Sequence, residues 1–533
     1  MKKVLYFNGS IHSMVSEDDI FTVMVTEGER IIYTGNEIPS KMTFSERVDL
    51  QKKHVFPTMT DSHLHLLYTI VLSAASFNIC EITSEGVKPD NMTDIGQRVK
   101  NYCKANPKQK IITANGYIIS AVKEKRLPYR FELDQWSGNR AMIVYSIDGH
   151  SSSMSTKLME MLNLPAENSN GIFSGEAHEF MQGKVTNLIA SKVTPAIIAK
   201  GLANFSNLCA SYGISRVCAM DGNEDVENDL LTKLLAFLAG RMDIDVRLFP
   251  QYMDFSRLGA FQKKQRTLRA GGCGVWELDG SVGSHSAAFY KPYSDNGAEG
   301  HCYHEKEKIR LKVEEAIKKN IRLSCHAIGE AAIDQIVDIY SELEKDIPRE
   351  GAMMRIDHFE FPSENAIKLI KKLPLAITVQ PGFSWVDKRF LKSYEQFLPE
   401  SIINRQLPLK ELMASDVCVC GSSDSPVQSV NPYEQMLGMV DFYISNQSIT
   451  SYEALKTYTV NPAKMLGEMG TGTLQKGKDA DFFVCNRDIT MCEGTDITLC
   501  KAEFMVVRGK RYKHKKGTVR ELFKMLLTKP NKI

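Results

Sequence analysis

Between residues 214 and 420, short apolar runs alternate with helical stretches, and this alternation restricts the fold more than any other feature of the chain. Strand-like runs at 214–220, 245–253, 273–279, 321–326, 353–358, 375–380 and 415–420, joined by an earlier one at 54–60, make eight. Parallel neighbours need a long crossover between them, usually a helix, so a repeating βα pattern predicts a parallel sheet. Eight such units predict an α/β fold, a (β/α)8 TIM barrel, with its chemistry at the C-terminal ends of the strands.

That expectation says where to look. His63-Leu64-His65 closes the first run. Residues two apart on a strand point the same way, so both imidazoles face one ion. His326 ends the fifth run, His358 ends the sixth, and Asp424 follows the eighth. Imidazole and carboxylate both ligate zinc and related divalent ions. Taken singly, His326 and His358 read better as satisfied core histidines, and Asp424 as a helix cap. Taken together, four histidines and an aspartate at strand ends predict a metal centre holding one or two ions.

A chain of 533 residues is too long for one ordinary core, and its two ends differ from its middle. Strand-like segments occur at 3–7, 21–26 and 30–34, and again at 480–485 and 503–509. Neither end carries enough strands for a stable sheet. We therefore expect residues 1–53 and 468–515 to pair into one small discontinuous β-sandwich, with the barrel over 54–467. Residues 68–205 are far too long for a βα connection and read as an inserted cap with its own strands and helices. The basic tail, 516–533, reads as a docked terminal helix, or as a contact to an anionic surface or a second subunit, which leaves a homodimer open. A net charge of +2 argues against nucleic acid as a partner. No apolar run of about 18 residues predicts a membrane span, and no signal-peptide pattern opens the chain. Twelve scattered cysteines without Cys-x-x-Cys spacing are expected to be reduced thiols, in a cytoplasmic protein with a small-molecule substrate.

The motifs add a resemblance. Pro57-x-x-x-Asp61-x-His63-x-His65, Asp279-Gly280-Ser281, His326-Ala327-Ile328-Gly329-Glu330, Ile356-Asp357-His358, Gln380-Pro381 and Ser423-Asp424-Ser425-Pro426 together resemble the metal-dependent amidohydrolase superfamily, amidohydrolase family 3, YtcJ-like branch. The resemblance spans nearly the whole chain. It implies metal-assisted hydrolysis of a non-peptide C–N bond, such as an amide or an N-acyl or N-formyl group. Asp424 would then be the catalytic base, a ligand, or both. Deamination or ring opening on the same site, and a metal-binding protein without catalysis, are the alternatives. Relatives often carry a bridging lysine where Val275 stands here. Glu277, two residues on, is expected to replace it, or else to contact substrate or an ion-pair partner. His285 stands where relatives often have arginine, so a different substrate is expected. The family places a similar Asp-Gly-His near substrate, so His150 of Asp148-Gly149-His150 is expected to line the pocket and bind a developing oxyanion, or to be a turn histidine. Gln380 and Trp385 complete the substrate-binding candidates.

Overall fold

The computed structural model describes residues 2–529, apart from 84–85, 148, 165–169, 191–192, 225–229 and 263–266. Parallel strands follow one another in chain order: Met59–Leu64, Ile214–Asn223, Asp245–Gln251, Arg269–Gly271, Arg322–Ala327, Met354–His358, Leu375–Val379 and Cys418–Gly421. The first three form one sheet and the last five another. The third and fourth strands lie side by side. A parallel bridge between Leu64 and Ser425 links the eighth strand's exit to the first, and Asp424 N donates to His63 O at 2.9 Å.

Strands covered on both faces read as near-continuous apolar runs, which is why they are visible in the sequence. Val217, Val246, Leu323, Ile356, Ile377 and Val419 all join one large buried cluster. Cys325 points into that cluster, so its neighbour His326 points the other way, as strand alternation requires.

Two strands differ from expectation. The first is Met59–Leu64, because His54–Pro57 belongs to another sheet, where Phe56 pairs with Phe483. One apolar run thus serves two sheets, which periodicity cannot divide. The fourth strand ends at Gly271, and Gly274–Trp276 is a 3-10 turn. Gly271, Gly272 and Gly274 adopt φ of +105°, +96° and +61°, and a Cβ on Gly271 would meet Ser324 O at 1.9 Å. Only glycine tolerates that path, and it turns the chain out of the strand.

Both chain ends meet in a single eight-stranded sheet. Its order is Lys510–Arg511, Ala502–Val507, Phe482–Cys485, His54–Pro57, Lys3–His12, Ile20–Glu27, Arg30–Gly35, with Glu46–Asp49 also paired to Lys3–His12. Val55, Phe482 and Val484 face one cluster, while Phe56, Phe483 and Cys485 face the parallel array.

The insertion has its own five-stranded sheet, from Ser76–Asn78 to Ile172–Ser174. Along its Ala141–Ser146 strand, Met142 and Val144 enter one apolar cluster, and Ile143 and Tyr145 another. Helix Pro195–Tyr212, counted partly within the insertion from sequence, packs instead on Leu66–Ala75 and leads through Gly213 into the second strand. Near the C-terminus, Asn207 on that helix bonds both backbone groups of Lys515, and Val519–Leu527 buries Leu522 nearby. Among the described residues, no helix is long and apolar enough to cross a membrane.

The ends of the strands opposite the histidines are tied by one carboxylate. Glu468 lies 3.1 Å from Arg216 Nε, 2.8 Å from Arg247 Nη2 and 3.8 Å from Arg269 Nη2, on the second, third and fourth strands. Burial alone would raise its pKa, but Arg216 and Arg247 hold it down to about 2. A depressed carboxylate contributes stability that is present above its unfolded pKa and lost as pH falls through the folded value. Removing one partner of such a buried network costs about 3–5 kcal/mol. Glu468→Gln is therefore expected to lose about 3 kcal/mol in urea unfolding at pH 7, and the gap to wild type is expected to close as pH falls from about 4.5 through 2. An equal gap at pH 7 and pH 2 would count against the latch.

Candidate metal centre

His63 is held by its rear nitrogen. Its Nδ1 lies 2.8 Å from Asp357 Oδ2. Thr378 Oγ1 donates to Asp357 at 2.7 Å, Ser324 Oγ also bonds it, and Arg355 Nε lies 3.0 Å away. Burial opposes the charge on Asp357, but Arg355 and His63 keep its pKa well below the usual carboxylate range. Such a partner fixes the imidazole tautomer and aims the other nitrogen forward. His65 is held the same way, with Nδ1 3.2 Å from Met220 O.

The forward nitrogens converge. His63 Nε2 and His65 Nε2 lie 3.3 and 3.2 Å from Asp424 Oδ1. They also lie 3.6 and 3.7 Å from Cys273 Sγ. The His326 and His358 rings approach to 4.3 Å between centroids. Three groups offer ligand atoms all within 4.8 Å of one another: His63, His65 and Cys273; Cys273, His326 and His358; and His63, His358 and Asp424.

The structure thus brings together the five residues singled out at the strand ends, and adds Cys273. Sequence reasoning missed Cys273 because it assumed an extended strand over 273–279. Its one signal is a lone thiol within Gly271-Gly272-Cys273-Gly274. The same turn precedes Glu277. After the 3-10 turn the chain rejoins the sheet through a parallel bridge between Glu277 and His326, and Glu277 Oε1 accepts from Gly274 N at 3.0 Å. Glu277 belongs to none of the convergent groups found among the described residues.

These residues could hold a cation. His358 is 3% exposed, and among the described residues neither of its ring nitrogens has a hydrogen-bond partner; His326 Nδ1 is in the same position. A buried polar atom without a partner costs about 1–3 kcal/mol, so such groups call for a specific reason. Burial lowers the pKa of His358 to about 4 and that of His326 well below its ordinary value, leaving neutral imidazoles with free lone pairs. Burial would raise Asp424, but His63 and His65 keep it well below the carboxylate range and ionised. His358 and Asp424 also sit at φ 70° and 56°. Left-handed backbone at non-glycine residues costs about 1–3 kcal/mol and gathers at functional sites.

A cavity of about 550 Å³ opens over His358 and Asp424. The insertion supplies one side with Ile118, Ile147 and Ile172, and Phe383, Phe397 and Val427 stand elsewhere on the wall among polar residues such as Ser281, Glu360 and Gln428. His150 lines it too, with its ring 5.5 Å from that of His326; its neighbour Asp148 lies outside the described residues. His285 lines the wall, and its Nε2 lies 3.0 Å from Asp295 Oδ2. Gln380 and Trp385 are not among the lining residues. Gln380 donates to Ser422 Oγ at 2.9 Å, and Trp385 Nε1 donates to Asp441 at 3.1 Å. Helix Pro381–Val386 starts directly after the seventh strand, and its three-residue period turns Phe383 and Val386 inward and Trp385 outward. Asp279 serves the frame: it accepts from Ala288 N, Ile328 N and Gly329 N, and burial raises its pKa to about 7.

The profile of the amidohydrolase family matches residues 46–512, which include every residue of this centre. The chain belongs to the amidohydrolase family. It is thereby a hydrolase by family. It is 22% identical over 540 residues to YtcJ of Bacillus subtilis (strain 168), an amidohydrolase by name, covering 95% of this chain and 98% of that one. It is 21% identical to an N-substituted formamide deformylase of Arthrobacter pascens, covering 92% and 95%. A metal-dependent hydrolase from Pyrococcus horikoshii OT3, itself uncharacterized, superposes with a TM-score of 0.70 at 22% identity, covering 92% of this amidohydrolase and 99% of that chain.

Cys273 and Glu277 give opposite expectations. Cys273→Ala is expected to weaken metal retention against a chelator at least tenfold, and Glu277→Gln to leave it unchanged, read by elemental analysis after dialysis. The reverse order would restore Glu277 as the bridge.

Proposed function

We propose that this chain is a metal-dependent hydrolase, zinc its resident ion, that cleaves a non-peptide C–N bond in a small neutral amide of the N-acyl or N-formyl type. The observation that carries this reading is His358, a buried imidazole with two unpartnered nitrogens beside Asp424 and below the cavity. In the same reading, the two parallel sheets are one closed (β/α)8 barrel, whose eighth strand returns to its first at Leu64 and Ser425.

His63, His65, His326, His358, Asp424 and Cys273 would hold the ion. Cys273 belongs to two of the three groups, and a sulfur donor would favour zinc over magnesium or manganese. A divalent ion there supplies Lewis acidity, lowering the pKa of water and polarising a carbonyl. Asp424, ionised and facing both the histidines and the cavity, accepts a proton from the attacking water and returns it to the departing amine. Water adds to the carbonyl carbon, the C–N bond breaks, and acid and amine leave. His150, on the cavity wall, donates to the oxygen as negative charge develops. Asp357 keeps His63 in the tautomer that faces the centre.

The cavity favours an uncharged substrate. Of the lining basic residues, Arg126 is paired with Glu132 at 2.7 Å, Lys125 donates to the Ser120 carbonyl, and His285 faces Asp295. Its apolar side suits a hydrocarbon substituent on nitrogen. The deformylase named above is a relative whose printed substrate class fits that shape.

Two measurements test the reading. Metal-loaded enzyme is expected to hydrolyse members of a panel of N-formyl and N-acyl amines; turnover confined to cyclic amides or aminated heterocycles would instead assign ring opening or deamination. Asp424→Asn is expected to lower kcat by about 10²–10⁴-fold, with a far smaller change in bound metal. Near-full activity in that variant would sink the assignment of Asp424.

A further inference from the structure

A second cluster of ligand atoms lies in the terminal sheet, apart from the centre described above. His12 ends the strand Lys3–His12, and His54 begins His54–Pro57. These strands pair in parallel, with Ser10 opposite His54 and Ile11 opposite Val55. Directly paired residues share a face and successive residues alternate, so His12, His54 and Phe56 face the same way. Asp488 arrives from the far end of the sequence, at the start of the turn Ile489–Met491. Its Oδ1 is engaged by Thr490 N and Oγ1, at 3.1 and 2.7 Å. Its Oδ2 turns to the histidines.

The three atoms form a small triangle. His12 Nε2 lies 3.1 Å from His54 Nδ1. Asp488 Oδ2 lies 3.7 Å from the first and 3.5 Å from the second. For a tetrahedral zinc with bonds of about 2.0–2.1 Å, neighbouring ligands stand about 3.3–3.4 Å apart. The observed edges bracket that value. The His12 ring is also held in place, stacked on Phe56 at 4.5 Å and 20°.

We propose that His12, His54 and Asp488 form a structural site for a first-row divalent cation of the zinc class, distinct from the His63 centre. Imidazole and carboxylate are the donor set such ions take, and three protein ligands leave a fourth position for solvent. His54 and Asp488 are partly exposed, which gives the ion an entry path, while His12 is buried. Burial keeps His12 neutral at pH 7 despite Asp488, so no proton need be displaced from it. The ion joins the N-terminal strand, the strand leading into the parallel array, and the segment that follows Phe482–Cys485. Residues 12, 54 and 488 come from both ends of the chain, so the bond would clamp the discontinuous sheet.

The test uses the full chain, stripped with a chelator and titrated with zinc. Wild type is expected to bind one equivalent more than His54→Asn/Asp488→Asn, and His63→Asn/His65→Asn is expected to retain that equivalent. Equal stoichiometry and affinity in wild type and the 54/488 variant would overturn the proposal. Anomalous diffraction from wild-type crystals soaked in zinc needs no variant. A peak about 2 Å from all three atoms is expected, and its absence at saturating zinc would overturn the proposal even where the variant does not fold.

Discussion

The Asp357 carboxylate is the interaction on which the rest of the centre depends. It lies on the sixth strand and is bonded by Ser324 of the fifth, Thr378 of the seventh and His63 of the first. Arg355, two residues away, neutralises it and reaches Ser62 O at 2.8 Å. A buried charge is tolerated only when paired and fully hydrogen-bonded, so this carboxylate demands that those four strands sit in one relative register. That demand aligns their C-terminal ends, and with them His63, His326 and His358.

The chain balances two kinds of buried polar group. Asp357, Asp279 and Glu468 are saturated with partners and act as frame. His358 and His326 Nδ1 are left without hydrogen bonds in an equally dry place. The left-handed backbone at His358 and Asp424 adds to that cost. The surrounding array has to outweigh both, which its continuous apolar cluster and the arginine–Glu468 latch at the opposite strand ends make feasible. The unpaired ring nitrogens thus lie at one end of the strands beside the saturated Asp357, and the Glu468 ion pairs at the other.

The inserted unit and the terminal sheet do different work. The insertion carries its own sheet and apolar clusters, and it contributes Ile118, Ile147, His150 and Ile172 to the cavity over the centre. The terminal sheet packs Phe56 and Phe483 against the array and contributes nothing to that cavity. In the proposed reading, substrate selection would fall to the insertion and the strand-end loops.

The sequence by itself marked the order of the parallel strands, the pairing of the two ends in one sheet, and five of the residues that converge at the strand ends. Strands buried on both faces must be apolar along their length, and residues at strand ends must fall beside loop-forming glycine, serine or proline, so both leave marks in one dimension. Only the tertiary structure decided where the first strand begins, because the apolar run from Val55 to Thr60 is shared between two sheets, and no local signal separates them. Only it brought Cys273 to the histidines, because that placement rests on a 3-10 turn beside the close approach of Gly271 to Ser324. Only it turned Trp385 away from the cavity and closed His285 against Asp295, since both depend on what stands across a gap in space.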